Sequence, residues 1–303
     1  MSGCAVAIGN FDGVHLAHRL LLRATVKAAH AEGLRPAVLM FNPHPKCIVA
    51  PEQAPRLLTS TEERCALIRE QGIEHIEILP FTAELAKLTP EEFARHFLRD
   101  HLDARSVAVG ENFRFGHKQA GDTRILTELG KKLGFKTCLL APVRWRGLPV
   151  SASEIRRRIA AGEVGIAGRL LERPYAIAGS VVHGRGVGSK QTVPTLNLQT
   201  DAQVIPARGV YITRTTDLQD GRRWNSITNI GYRPTFGGDE TLSIETFLLE
   251  PLEDSTPERI RVEFLRRVRE ERKFESPDAL KAQILRDVGR ANVYFRRLTR
   301  WLH

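Results

Sequence analysis

The chain has 303 residues, 42% of them hydrophobic and 26% charged, with a formal net charge of +10. That length suits one large domain or two ordinary ones, and the balance is that of a globular chain rather than a disordered or fibrous one. The longest apolar runs, such as Ala37–Phe41, are too short for a helical membrane span, "MSGCAVAIGN" has no signal-peptide pattern, and the positive charge is not gathered in a nucleic-acid-binding tail.

Residues 1–140 alternate short apolar strands with helical patterns. Strands are expected at Ala5–Ile8, Pro36–Phe41, Ile76–Phe81, Ser106–Gly110 and over "KTCLLAP". Helices are expected from about His15 to Ala31, after the capping pair Ser60 and Glu63, after Thr89, Pro90 and Glu92, and over Thr123–Leu133. This βαβα rhythm predicts a mostly parallel sheet with helices on both faces, whose ligands bind beyond the carboxyl ends of the strands. The rhythm changes near residue 150. "SASEIRRRIAAGEVGIAGRLL" reads as a helical connector. Then come "YAIAGSVVHG", "GVYITRTTD", "NSITNIG", "TLSIETFLLE" and "IRVEFLRRV", strand patterns without intervening helices, which predict an antiparallel barrel. A last helix begins near Ser276–Pro277, with Leu280, Ile284, Leu285 and Val288 expected on one face. We expect two domains, residues 1–165 and 166–303. The basic run "RIRVEFLRRVREERKF" is broken by Glu263, Glu270 and Glu271 and reads as a solvated, salt-bridged surface. Cys4, Cys47, Cys65 and Cys138 form no CxxC pair, which suits reduced thiols in a cytoplasmic setting and no structural zinc.

The stretch "IGNFDGVHLAH" places Gly9, Phe11, Asp12 and Gly13 between a strand and a helix start, with His15 and His18 three apart. Backbone N–H groups and the helix dipole make such a loop an anion site, and histidines add donors for phosphate. A zinc site would need further ligands, and none is evident. Two ordinary histidines at a helix start remain the bland reading. "FNPHP", holding Asn42, and "GENFRFGHKQAGD", holding Asn112 and Phe113, follow two other strands at the same sheet edge. Ser151 and Glu154 open the connector as a helix cap.

In the second half, Gly184, Gly186 and Gly188 alternate after a strand, beside Arg185 and Lys190. Such a loop can fold around phosphates or serve as a plain hairpin turn. In "PTLN", Thr195 and Asn197 offer oxygens to a hard cation such as Mg²⁺, which takes few protein ligands. Glu245 sits in an apolar strand pattern, as an exposed residue or as a general base toward an alcohol.

These segments together resemble a known family. "GNFDGVHLAH" is similar to the G-x-F-D-x-x-H-x-G-H signature of nucleotidyltransferases. With "FNPHP", "GENFRFG" and "SASEIRRRI" it resembles the adenylyltransferase half of bifunctional bacterial riboflavin kinase/FAD synthetases. "GRGVG", "TVPTLNL", "NIGYRPTFGG" and "ETFLL" resemble the kinase half. The resemblance implies a Rossmann-like nucleotidyltransferase domain followed by a riboflavin kinase β-barrel with a terminal helix. It implies that His15 and His18 contact ATP phosphates, and that Ser153 and Arg156 lie near the triphosphate. Asn112 would belong to the nucleotide and flavin site, with Asn42, Phe113 and Arg233 as flavin contacts. Thr195 and Asn197 would hold Mg²⁺-ATP, and Glu245 would activate the riboflavin 5′-hydroxyl. Riboflavin, FMN and ATP are the implied small-molecule partners, with no nucleic acid and no membrane. Ala17 departs from the pattern, which has glycine between the histidines, and Phe247 replaces a histidine.

Overall fold

The computed structural model describes residues 3–182, 195–234, 240–252, 256–272 and 274–300. It forms two compact units, Met1–Glu154 and Ile155–His303.

The first unit is built on strands β1 (Cys4–Ile8), β2 (Arg35–Asn42), β3 (His75–Pro80), β4 (Ala104–Gly110) and β5 (Lys136–Leu140), all parallel, in the order β3-β2-β1-β4-β5. Its helices are α1 (Leu16–Glu32), the short α2 (Lys46–Val49), α3 (Thr61–Arg69), α4 (Pro90–Phe93) and α5 (Thr123–Leu133). α4 runs on as a π-helical stretch, Ala94–His101. Strand β1 is buried throughout, as a central parallel strand must be. Ile8, Leu39, Val107 and Leu126 pack on one face of the sheet, and Ala7, Val38, Leu22 and Ile68 on the other. The caps read from sequence form locally. Ser60 accepts from the Glu63 amide, and Thr89 and Glu92 complete a reciprocal box. The strand order reverses between β1 and β4, and a cleft opens at such a switch point beyond the strand ends. The loops leaving β1 and β4 therefore flank it.

A two-stranded ribbon, β6 (Arg144–Trp145) and β7 (Leu148–Pro149), precedes helices α6 (Ala152–Ala160) and α7 (Val164–Leu171). The second unit then closes a barrel from β8 (Tyr175–Val182), β9 (Thr195–Gln199), β10 (Gly209–Asp217), β11 (Arg223–Pro234), β12 (Glu240–Leu248) and β13 (Arg259–Arg269), in the order β10-β11-β12-β9-β8-β13. Its pairings are antiparallel. Gly179 on β8 is required by close approach, because a methyl there would overlap the Gln199 carbonyl. The interior holds a hydroxyl chain. Thr213 Oγ1 lies 2.8 Å from both Ser226 and Thr228, and Thr228 lies 3.0 Å from Thr246, so each hydroxyl of this chain finds a partner. Tyr211 packs edge-on to Phe264 and donates to the Ala207 carbonyl, and burial pushes its phenol up to about 12.

Helix α8 (Pro277–Arg300) covers the outside of the barrel, with Ala291 and Phe295 against Val210, Ile212 and Ile227. Its buried face matches the sequence expectation only in part: Ile284 and Val288 are half-buried, Val288 against this same cluster. Leu280 and Leu285 are 41% and 64% exposed, whereas Gln283 and Asp287 are buried. Asp287 accepts from Arg269 Nε at 2.8 Å and from Gln283 Nε2 at 2.9 Å, and Gln283 Oε1 accepts from Arg272 at 2.6 Å. Side chains at and beyond the end of β13 thus satisfy polar groups that a hydrophobic pattern sends to solvent. All four cysteines are free, Cys4 and Cys65 buried, Cys47 and Cys138 exposed. Among the described residues no helix is long and apolar enough to cross a membrane.

Candidate active sites

The loop leaving β1 is tightly wound. Phe11 (φ 49°), Gly13 (φ 76°) and Val14 (φ 39°) all occupy the left-handed region. Gly13 does so freely, while a β-branched Val14 is held there against its preference. Several contacts fix the loop. Val14 donates its amide to the Phe11 carbonyl at 2.9 Å, and Gly13 donates to Thr59 Oγ1 at 3.0 Å. Asp12 Oδ1 accepts the Leu58 and Thr59 amides at 2.8 and 3.3 Å. Arg64 Nη1 donates to the Asn10 carbonyl at 3.1 Å. Phe11 is fully buried, so it and Asp12 stand behind the loop rather than at its surface. Gly9 is at the mouth, its amide bonded to the Leu39 carbonyl.

His15 caps α1: its Nδ1 accepts the His18 amide at 3.4 Å. Accepting at Nδ1 leaves the proton of the neutral ring on Nε2. The two imidazoles stack, with centroids 3.6 Å apart and planes 13° from parallel. His18 Nδ1 is a buried polar atom with no hydrogen-bond partner. Burial, then the His15 ring, then the Arg64 charge hold the His18 pKa well below its ordinary value. Burial likewise draws the Arg64 pKa down, with Asp12 opposing. The result is a stacked imidazole pair at a helix N-terminus, with His18 held toward its neutral form and its Nδ1 orphaned.

Beside the loop is a cavity of about 800 Å³, lined by Gly9, Asn10, His44, Asn112 and Phe113 among others. Phe113 stacks on Phe115 at 5.4 Å, and Phe41 and Phe93 continue the aromatic wall. Lys46, Lys87, Arg114 and Lys118 add cations to its lining. A planar aromatic ring carrying a phosphate matches that chemistry. Asn42 ends β2 with an exposed side chain and is not among the lining residues. Ser153 lies in the first turn of α6, whose capping Ser151 accepts the Glu154 amide at 3.3 Å, and Arg156 follows on the same helix.

In the barrel, register does the assembling. Glu245 pairs with Asn229 on one side and Asn197 on the other, and Thr195 pairs with Phe247. Their neighbours Thr228, Thr246 and Leu196 fill the interior, so Asn229, Glu245 and Asn197 make one row on the outer face. Ser243 donates its hydroxyl to Glu245 Oε1 at 2.9 Å and so helps orient the carboxylate. Gly184, Gly186 and Gly188 lie outside the described residues, as does the side chain of Arg233, whose backbone belongs to β11.

Sequence reasoning missed Asn10, His44, Thr59, Arg64 and Asn229. The Asn10 amide lies 3.1 Å from His44 Nε2, which ties the β1 loop to "FNPHP". Both segments were visible as ligand-edge loops, but a contact across 34 residues has no local signature.

A family model for FAD synthetase matches residues 1–154, and one for riboflavin kinase matches residues 171–295. The chain is 36% identical to a bifunctional riboflavin kinase/FMN adenylyltransferase of Pseudomonas fluorescens, over 95% of this chain and 92% of that one. It is 34% identical to the protein of the same description from Escherichia coli K12, over 97% and 93%. A solved structure from Streptococcus pneumoniae, described as a macrolide-efflux protein, superposes with a TM-score of 0.86 at 28% identity, covering 95% of this chain and 93% of that one. With two family models in series and relatives aligned along nearly their whole length, the chain belongs to the bifunctional riboflavin kinase/FMN adenylyltransferase family.

Proposed function

We propose that the groups assembled above perform the family's two reactions: phosphorylation of riboflavin by ATP to give FMN, then adenylylation of FMN by a second ATP to give FAD. For the first step, the outward row on β9, β11 and β12 carries the reading. Glu245 takes the proton of the riboflavin 5′-hydroxyl. The freed oxygen bonds to the γ-phosphorus and the bond to ADP breaks. Thr195 and Asn197 present oxygens that fit a hard cation, which when bound neutralises phosphate charge. Among the described residues no cluster of three or more His, Cys, Asp or Glu could hold a metal.

For the second step, the stacked His15–His18 pair carries the reading. An oxygen of the FMN phosphate bonds to the α-phosphorus of ATP and pyrophosphate leaves, so no protein nucleophile is needed. His15 offers its Nε2–H, and the α1 amides add a fixed positive dipole. Its depressed pKa favours the neutral form of His18. A triphosphate beside it favours the protonated ring, placing a positive charge where the leaving group gathers negative charge. The aromatic wall takes the flavin ring. Ser153 and Arg156 serve the triphosphate. The free thiols support a reducing, cytoplasmic setting. Incubation with riboflavin, ATP and Mg²⁺, followed by chromatography of the flavins, tests the whole reading. FMN and FAD should both form. FMN alone would remove the adenylylation role from the first unit, and neither product would remove both roles.

A further inference from the structure

A groove of about 720 Å³ runs between α8 and the barrel wall, apart from the Glu245 row. Arg266 and Arg267 line it from β13, and Arg286, Arg290 and Arg297 line it from α8. None of its lining residues is acidic. One turn away, arginines are matched: Arg269 meets Asp287, and Arg272 meets Gln283. Within the groove, Arg267 lies 3.9 Å from Glu270 and Arg286 donates to Gln283 Oε1, while Arg266, Arg290 and Arg297 have no carboxylate within ion-pair distance among the described residues. Cations crowded on two walls repel one another, and an anion between them relieves that repulsion. All five are arginines and none is lysine, and the planar guanidinium fork matches phosphate oxygens two at a time.

The floor is not polar. Ile212 and Tyr294 form part of it, and Tyr294 is half-buried. The wall also contains Gly289, in the middle of a helix of 24 residues. Glycine is among the worst helix formers, and packing does not account for this one: a methyl built there meets nothing within 4 Å. A larger side chain would project into the open space that the groove provides.

We propose that this groove is a second, non-catalytic binding site for a phosphorylated aromatic molecule of mononucleotide size. The phosphates lie on the arginines and the ring lies over the apolar floor at Tyr294. The volume is within the range of small-molecule sites. Adenine and flavin nucleotides share this chemistry, and both are handled by the chain.

The test counts bound nucleotide. The unaltered full chain, Arg290→Glu/Arg297→Glu and Gly289→Leu are compared by equilibrium dialysis against ATP and, in a separate arm, FMN. Charge reversal removes the phosphate partners. Leucine fills the groove while suiting the helix better than glycine, so it does not depend on a destabilised fold. Each variant should bind one equivalent fewer than the unaltered chain in at least one arm, with riboflavin phosphorylation and FMN adenylylation unchanged at saturating substrate. A loss confined to the ATP arm identifies an adenine nucleotide, and one confined to the FMN arm a flavin nucleotide. Equal stoichiometry in all three chains overturns the site. Displacement of the extra equivalent by inorganic tripolyphosphate as effectively as by the nucleotide overturns the role of the ring. Preferential displacement by a tRNA mixture overturns the small-molecule assignment.

Discussion

The proposed adenylylation site is set by a few side chains in unusual states, and His18 is the clearest. Its pKa lies well below the ordinary value, so between that depressed pKa and about 6.5 the unfolded chain holds a proton that the folded chain does not. Stability from this group is therefore complete above about pH 6.5 and falls as pH drops toward the folded pKa, by up to about 1.4 kcal/mol per unit. His18→Gln removes the dependence. Hydrogen-exchange protection of the β1 and α1 amides should fall between pH 7 and pH 5 in the unaltered chain, and fall less in the variant. Equal losses would show that His18 is not the titrating group. Ala17, in the first turn of the same helix, poses a second question. Its methyl stands where the family signature has glycine, close to the turn proposed to bind phosphate. Ala17→Gly should lower the KM for ATP in FMN adenylylation several-fold while costing the helix about 1 kcal/mol. An unchanged KM would mean that the methyl does not approach the nucleotide.

Elements were legible in sequence where their causes are local. Thr89, Pro90 and Glu92 announce a helix start because cap and proline act within four residues, and the reciprocal box forms. The β1 loop was legible for the same reason, since glycines, an acid and two histidines lie within ten residues. What escaped is long-range. Strand β9 was read only as a ligand stretch, because its five residues follow a glycine-rich segment and carry an asparagine. Its strand character comes from Leu196 and Leu198 packing inside a closed barrel. The face of α8 was legible only in part, through Ile284 and Val288, because Gln283 and Asp287 are satisfied by Arg272 and Arg269, distant from the helix's own pattern. Arg64 reaches Asn10 across 54 residues in the same way. Asp287→Ala leaves Arg269 and Gln283 without their shared acceptor and should destabilise the barrel by about 3 kcal/mol, the low end for a broken buried pair because Arg269 keeps some exposure. The urea midpoint for loss of riboflavin phosphorylation should drop, while that for FMN adenylylation stays put. Parallel shifts of both midpoints would count against a local role.

At the scale of the whole chain, two compact units carry two motif sets, each matched by its own family model. The groups proposed for phosphoryl transfer, Thr195, Asn197 and Glu245, share one barrel face through strand register. The histidine pair and the aromatic cavity belong to the parallel sheet. If each constellation is sufficient for its own reaction, a chain defective in one step should be rescued by a chain defective in the other. Glu245→Gln removes the proposed general base, worth about 10²–10⁴ in rate, without altering the fold, because glutamine keeps the shape and the Ser243 contact. That variant should make FMN from riboflavin about 10²–10⁴-fold more slowly yet convert supplied FMN to FAD at the unaltered rate. His15→Ala should do the reverse. Mixed in equal amounts with riboflavin and ATP, the two should produce FAD after a lag during which free FMN accumulates, because the intermediate must leave one molecule and find another. A mixture that makes FMN but no FAD would show that FMN must pass within a single chain. Loss of both activities in a folded Glu245→Gln chain would break the assignment of the two reactions to separate sites.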